Sequence, residues 1–114
     1  MLGGVDIKMY ESFQTLIIEN DCMFANSRII CGDSHPIVSK KTKRIINFSE
    51  GIHIGKHVWV GNQAIILKNV IIPDDCIVAT GAIVTRKFIE KNCVIGGNPA
   101  HIIKRGVTWD SGII

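Results

Sequence analysis

Aliphatic residues recur at every sixth position through the second half of the chain, and a small or apolar residue follows each of them four places later. The first series is Ile54, Val60, Ile66, Ile72, Val78 and Val84. The second series is Val58, Ala64, Val70, Cys76, Ala82 and Phe88. A period of six predicts a parallel β-helix, in which short strands alternate with corners, three repeats make a coil and aliphatic side chains stack inside. A sandwich of strands with a period of two would not select every sixth residue.

The same phase continues upstream of the first series, at Ile18, Phe24 and Ile30, four whole repeats before the series begins. One helical register is therefore expected to span most of the chain. Gly55 and Gly61 follow the first two aliphatic positions, which suits a tight corner that needs a permissive backbone.

The repeat is interrupted once and then ends. The stretch HPIVSKKTKRIINFSEG breaks the period, which predicts a loop that leaves the helix. Beyond the first series, Glu90 stands where an aliphatic residue is expected, and Asn98 suits the cap of a short terminal helix. The chain is thus predicted to be one domain with N-terminal coils (1–35), an excursion loop (36–51), C-terminal coils (52–88) and a terminating segment with a short helix (89–114).

Composition supports an all-β chain. Ile and Val fill 31 of the 114 positions whereas Leu fills three, and β-branched residues favour strands. An apolar content of 46% with a mean hydropathy of +0.27 excludes intrinsic disorder. No unbroken apolar stretch reaches the length of a membrane-spanning helix, so we expect no membrane span.

Net charge and cysteine usage limit the possible binding partners and the possible cellular location of the protein. A net charge of +3 and an aromatic content of 6% make nucleic acid a poor candidate partner. The opening MLGGVDIKMY lacks the basic and apolar regions of a signal peptide, which favours the cytoplasm. A reducing compartment would keep the cysteines, which form no CxxC pair, as thiols in the core. They are Cys22, Cys31, Cys76 and Cys93.

Two stretches resemble a known family. The run IHIGKHVWVGNQAIILKNVIIPDDCIVATGAIVTRKFIEKNCVIGGNPAHIIK resembles the C-terminal half of the hexapeptide-repeat acyltransferases, including sugar and xenobiotic O-acetyltransferases. The upstream run IIENDCMFANSRIICGDSHPI is similar to the coil that leads to their catalytic histidine. The resemblance implies a left-handed parallel β-helix that transfers an acetyl group from acetyl-CoA to a hydroxyl, often of a saccharide. It also implies a homotrimer with active sites between neighbouring subunits.

His35 is the candidate general base. A hydroxyl is a weak nucleophile towards a thioester and needs a base with a pKa near the operating pH, which is the range of histidine. His35 precedes Pro36 where the regular coil ends, so its ring is expected at the rim of a cleft. The alternative is that His35 is an exposed loop residue with no catalytic role. Asp33 could orient the ring or simply form a turn, and Cys31 could carry an acyl group or be a buried thiol.

The resemblance also implies a path for acetyl-CoA along the coils after the loop. Cations at two of these positions would suit phosphates, and small residues would admit an extended arm. Alternatively, Arg86 and Lys104 are solvated surface charges, and Trp59 is an outward packing residue. The implied residues are Trp59, Gly61 and Asn62 near the thioester, Thr80 and Gly81 along the pantetheine, and Thr85, Arg86 and Lys104 towards the phosphates and adenine.

Other readings stay open. The acceptor-binding asparagine of the family falls on Val5, and the chain begins where relatives have further coils, so a non-catalytic or truncated trimeric scaffold is an alternative. A zinc enzyme of the carbonic anhydrase type could use His35, His53 and His57, although no metal site is predicted. Four loop cations are either solvated or attract an anionic saccharide or the phosphates of CoA. They are Lys40, Lys41, Lys43 and Arg44.

Overall fold

The computed structural model describes residues 4–114, so the first three residues of the predicted N-terminal coils lie outside it. Twelve short strands make up the regular structure of this part of the chain. They are β1 (Asp6–Met9), β2 (Leu16–Ile18), β3 (Met23–Phe24), β4 (Arg28–Cys31), β5 (Ile52–Ile54), β6 (Trp59–Val60), β7 (Ile65–Ile66), β8 (Ile71–Ile72), β9 (Ile77–Val78), β10 (Ile83–Val84), β11 (Cys93–Gly97) and β12 (Ala100–Arg105).

The strands form three sheets, and each of the first three coils contributes one strand to each sheet. One sheet has the order β1-β4-β7-β10, the second β2-β5-β8 and the third β12-β11-β9-β6-β3. Neighbouring strands are parallel except β11 and β12. The three sheets are the faces of a left-handed parallel β-helix, which confirms the predicted architecture.

Both six-residue series lie inside the helix. Every member of the two series is buried, and Val60, Ile66 and Val84 are wholly inaccessible to solvent. Burial of one such side chain contributes roughly 1.5–3 kcal/mol. The stack of aliphatic side chains is therefore the main source of stability, and a period of six was sufficient to locate it.

A left-handed backbone conformation turns the chain at successive corners. The residues concerned have φ angles between 53° and 73°, and the N–H of each donates to a carbonyl of the preceding coil. They are His57, Gln63, Asn69, Asp75 and Gly81. Gly55 and Gly61 were predicted to supply a permissive backbone at tight corners. This explanation is wrong, because neither residue adopts the left-handed conformation. Gly61 is needed for close approach instead, since a Cβ there would lie 2.8 Å from both the Thr80 nitrogen and the Val78 oxygen.

The register upstream of the loop differs from the prediction by one residue. Phe24 pairs with Val60 as expected, but Ile29, not Ile30, pairs with Ile66 and points inward. The physical reason is a corner one residue shorter than its neighbour in the next coil. At this corner Ser27 is only 2% exposed, and its hydroxyl donates to the Ala25 carbonyl over 2.9 Å.

Residues 32–51 leave the helix between β4 and β5 and form a small hairpin. Val38 and Ile45 make an antiparallel bridge, and the Ser39 N–H donates to the Arg44 carbonyl over 2.9 Å. The two strands on either side of the loop keep their pairing with the next coil. The loop therefore projects from the helix without disturbing its core.

The predicted terminal helix is wrong. Within residues 4–114 no helix is present, and β12 folds back antiparallel to β11, with Gly97 opposite Ala100. Asn98 lies in the turn between the two strands and caps nothing. Pairing with the exposed edge of β11 satisfies the backbone of β12, which removes the need for a helix. No helix in this described part of the chain is therefore long and apolar enough to cross a membrane.

Two adjacent isoleucines test the interior stack. Ile72 is 1% exposed inside the helix, whereas Ile71 is 36% exposed on its surface. We expect Ile72→Ala to lower the free energy of unfolding by about 2–5 kcal/mol, because it leaves a cavity, and Ile71→Ala by less than about 1 kcal/mol. Urea denaturation at one protein concentration measures both losses. Equal losses would contradict the assignment of inward and outward positions.

Candidate active site

A cleft of about 240 Å³ lies between the end of β1 and the loop that follows β4. His35 and Pro36 form part of its wall, and Tyr10 and Phe48 contribute aromatic surface. Glu11 and Asp33 also line it, so carboxylates and aromatic rings face the same space. This combination suits a polar ligand that also offers flat apolar surface, such as a sugar ring.

His35 lies four residues beyond the end of β4 and is exposed to solvent. Its backbone carbonyl accepts a hydrogen bond from Asn47 Nδ2 over 3.1 Å. Within residues 4–114 its imidazole makes no hydrogen bond. The ring nitrogens are therefore available to a ligand in the cleft, as a general base requires.

Asp33 does not hold the ring of His35, contrary to one of the two roles considered for it. Its Oδ2 accepts hydrogen bonds from Lys68 Nζ and, over 2.7 Å, from Asn47 Nδ2. The hydrogen bond from Lys68, reinforced by that from Asn47, holds the pKa of the Asp33 carboxyl below its ordinary value. Asp33 is therefore an anchor of the loop, and it reaches His35 only through Asn47.

Asn47 and Lys68 are functional candidates that no sequence motif predicted. Lys68 follows β7 in the next coil and donates also to the Asn47 carbonyl over 3.1 Å. The only signal for Asn47 is its polar side chain within the apolar run RIINF. Its partners are 14 and 12 residues away in sequence, at Asp33 and His35. No local pattern relates these positions.

The floor of the cleft is tied to the exit of the loop. The Glu11 carboxylate accepts the Ser49 N–H with both oxygens, at 3.0 and 3.1 Å. Gln14 Nε2 donates to the Cys31 carbonyl at the end of β4 over 2.6 Å. These bonds join the first coil to both ends of the loop, so the cleft is a preformed feature.

Five of the residues implied for acetyl-CoA lie together on two successive coils. Trp59 is on β6 and is 39% exposed, and Gly61 and Asn62 form the corner after it. Thr80 and Gly81 form the same corner one coil further on, where the Gly81 N–H donates to the Asn62 carbonyl over 2.9 Å. Asn62, Thr80 and Gly81 are exposed.

A second indole, from the C-terminal segment, lies beside this group. Trp109 is 6.1 Å from Trp59 between ring centroids and stacks on His57 at 4.1 Å. Its Nε1 donates to the His57 carbonyl over 2.8 Å. His57 in turn contacts Asp75 through Nδ1 at 2.8 Å. Trp109 was not predicted, because 52 residues separate it from His57.

The remaining three implied residues lie elsewhere in the chain. Thr85 and Arg86 follow β10 and are exposed, and the Arg86 guanidinium lies 4.6 Å above the Phe88 ring. Lys104 is exposed on β12, opposite Val94. Because β4 and β10 belong to one sheet, Thr85 and Arg86 follow β10 at the same edge where the loop with His35 leaves β4, two strands further along the axis.

Two alternative chemistries find little support in the geometry. His53 contacts Glu19 at 2.8 Å and His57 contacts Asp75, and the described residues contain no group of three metal-binding side chains. Cys31 is wholly buried, as expected, and burial raises the pKa of its thiol. A raised pKa leaves less of the nucleophilic thiolate.

A family profile and a curated protein sequence both match this chain. The sequence profile described as the hexapeptide repeat of succinyl-transferase matches residues 51–86 and 88–108. The polysialic acid O-acetyltransferase of Escherichia coli O1:K1 / APEC is 40% identical over 93 residues, which are 81% of this chain and 30% of that protein.

Solved structures agree with the fold. The crystal structure of the polySia-specific acetyltransferase NeuO superposes with a TM-score of 0.86 and 32% identity, over 98% of this chain and 51% of that one. A galactoside acetyltransferase in complex with coenzyme A gives a TM-score of 0.67 and 26% identity, over 89% of this chain and 48% of that one. The chain thus spans about half of these structures and a smaller share of the curated relative.

The contact between Lys68 and Asp33 predicts a pH dependence. Because Asp33 has a lower pKa in the folded than in the unfolded state, the contact stabilises the fold above the unfolded pKa, and this contribution is lost as the pH falls through the folded pKa. Lys68→Met should raise the pKa of Asp33 towards its ordinary value and weaken the loss of stability in acid. A carboxyl ¹³C titration and urea unfolding measure the two effects.

The matched control is Lys40→Met, since Lys40 makes no ion pair among the described residues. It should leave the titration of Asp33 unchanged. An unchanged titration in Lys68→Met would show that Lys68 does not hold this carboxyl in solution.

Proposed function

Because this chain belongs to the hexapeptide-repeat acyltransferase family, we propose that it is an acetyl-CoA-dependent O-acetyltransferase that acts on a saccharide hydroxyl. The observation that carries the proposal is the cleft in which His35 presents a ring without a hydrogen-bond partner among the described residues. The acetyltransferase names of the relatives support the same reaction.

In the proposed reaction His35 is the general base. It takes the proton of the acceptor hydroxyl while the hydroxyl oxygen forms a bond to the thioester carbonyl carbon. The bond between that carbon and sulfur then breaks, and His35 returns the proton to the leaving thiolate. The acceptor gains the acetyl group and CoA leaves as the thiol, so no acyl-enzyme is needed.

Acetyl-CoA supplies the acetyl group in this scheme, and the residues present suit it. A Cβ added at Gly81 would meet nothing within 4 Å, so this corner is open to a ligand. The exposed side chains of Asn62 and Thr80 offer hydrogen bonds along it, and the indole of Trp59 offers apolar surface. Arg86 and Lys104 would hold phosphates, because charge-assisted hydrogen bonds to phosphate are strong.

The positions of these groups support a homotrimer. His35 follows β4, at the corner between the first and second sheets, whereas Trp59 and Gly61 approach the corner between the third and first sheets. One chain alone therefore presents the base, with Thr85 and Arg86, at one corner of the helix and the residues implied for the thioester and the pantetheine at another. A neighbouring subunit would bring the two corners together, and the site is proposed to lie between subunits.

The hairpin suggests the kind of saccharide. Four cations at its tip are exposed and make no ion pair within the described part of the chain. Such a patch attracts anionic ligands, and the named acceptor of one relative, polysialic acid, is an anionic polymer. We therefore propose an anionic saccharide as the acceptor. The cations are Lys40, Lys41, Lys43 and Arg44.

A cytoplasmic location is part of the proposal. Cys31, Cys76 and Cys93 are buried thiols, as expected of core residues, whereas Cys22 is only partly buried. Free thiols persist in a reducing compartment.

The test of the function is the replacement of His35. We expect His35→Ala and His35→Asn to lower the turnover of acetyl-CoA by at least about 100-fold, because the general base is lost. Affinity for acetyl-CoA should change by no more than a few-fold. Release of CoA thiol is measured with oligosialic acid and with a neutral galactoside as acceptors.

His53→Gln is the control, since His53 pairs with Glu19 away from the cleft and should retain wild-type turnover. Retained turnover in the His35 variants would remove His35 from the role. Turnover absent from the wild-type trimer with every acceptor would favour a non-catalytic scaffold.

A further inference from the structure

We propose that Asn47 is a positioning residue, which fixes the backbone on both sides of Pro36 and thereby sets the direction in which His35 enters the cleft. The inference rests on the proposed function of His35 and adds to it the residue that controls its placement. Asn47 itself acts through His35.

The side-chain amide of Asn47 contacts the backbone on both sides of Pro36. Asn47 Nδ2 donates to the His35 carbonyl over 3.1 Å, and Asn47 Oδ1 accepts the Ile37 N–H over 2.7 Å. These two groups flank Pro36, which has no N–H and a fixed φ angle. The amide therefore fixes the backbone carbonyl before Pro36 and the backbone N–H after it.

Among the described residues, one further hydrogen bond reaches this segment, from the Ile46 N–H to the Ile37 carbonyl over 2.9 Å, and it leaves the His35 carbonyl and the Ile37 N–H to Asn47. Residues 34–36 are exposed and belong to no strand, and the hairpin bridge begins only at Val38. Without the amide, the His35 carbonyl and the Ile37 N–H would have no protein partner within the described part of the chain. A misplacement of about 1 Å can cost a catalytic group roughly a hundredfold in rate.

Asn47 is in turn fixed to the rigid helix. Its Nδ2 also donates to Asp33 Oδ2 over 2.7 Å, and Lys68 Nζ contacts both Asp33 Oδ2 and the Asn47 carbonyl. Lys68 lies at the corner after β7, and Ile66 of this strand is buried in the aliphatic core. The chain of contacts thus runs from the core through Lys68 and Asp33 to Asn47, and from Asn47 to His35.

The experiment compares two substitutions of Asn47 with a control in the same loop. Asn47→Ala removes every side-chain contact, whereas Asn47→Asp keeps an acceptor for the Ile37 N–H and loses the donation to the His35 carbonyl. The control is Ser39→Ala, which removes a side-chain bond to the Thr42 N–H at the hairpin tip.

We expect both Asn47 variants to lower kcat by about tenfold to a hundredfold, with the KM for acetyl-CoA within about twofold of wild type. Hydrogen exchange of the Ile37 amide should accelerate at least about tenfold in Asn47→Ala and much less in Asn47→Asp. Ser39→Ala should leave kcat and the Ile37 amide unchanged. Thermal unfolding of each variant shows that the core is intact.

A double variant separates positioning from simple loop stability. Asn47→Asp places two carboxylates together, and adding Asp33→Asn restores a hydrogen bond between positions 33 and 47 with the donor exchanged. The double variant should regain only part of the melting temperature that Asn47→Asp loses, because Lys68 no longer faces a carboxylate at position 33. Its kcat should stay low, because the carboxylate at position 47 does not donate to the His35 carbonyl. Full recovery of kcat would overturn the inference.

The outcomes distinguish this inference from the proposed function. Wild-type turnover with unchanged kcat in both Asn47 variants refutes the positioning role and leaves the function standing. Absence of turnover in the wild type refutes the function, and the exchange of the Ile37 amide then decides whether Asn47 clamps the segment. Unchanged exchange in Asn47→Ala refutes the clamp in either case.

Discussion

The narrow interior of the helix is the constraint on which the rest of the molecule depends. Each strand inside a sheet pairs its backbone with the coil before it and the coil after it, so successive coils need closely similar outlines, and aliphatic side chains fill the interior. An added segment is compatible with this outline only if it leaves between two strands. Residues 32–51 do so, and β4 and β5 keep their pairing on either side. The fold thereby confines variable chemistry to a loop held by a rigid scaffold.

Most of the fold was predictable because the interior selects residues at a fixed interval. The six-residue period identified the buried positions from Ile54 to Val84 and the class of fold. It failed at Ile30, since one corner is shorter by a residue, and a period carries no information about corner length. It also failed at the C-terminus, where the free edge of β11 pairs with β12 and this tertiary pairing overrides the local helix signal at Asn98.

The site was predictable only in part. A histidine before a proline at the end of the repeat pointed to His35, and the resemblance supplied the positions of Trp59 and its neighbours. Lys68 and Trp109 were not accessible to this reasoning, because their partners are 35 and 52 residues away in sequence. Geometry also revised Asp33, whose carboxylate serves the loop and not the ring. Long-range polar contacts of this kind form only in the folded coil, and no spacing in the sequence predicts them.

The proposed binding of an acyl donor between subunits can be tested without knowledge of the acceptor. The measurement is a calorimetric titration of the purified protein with acetyl-CoA, with the assembly state determined on the same sample. We expect a trimer that binds acetyl-CoA with micromolar to sub-millimolar affinity. A well-folded trimer that does not bind millimolar acetyl-CoA would refute the proposed function and would favour a structural role for the chain.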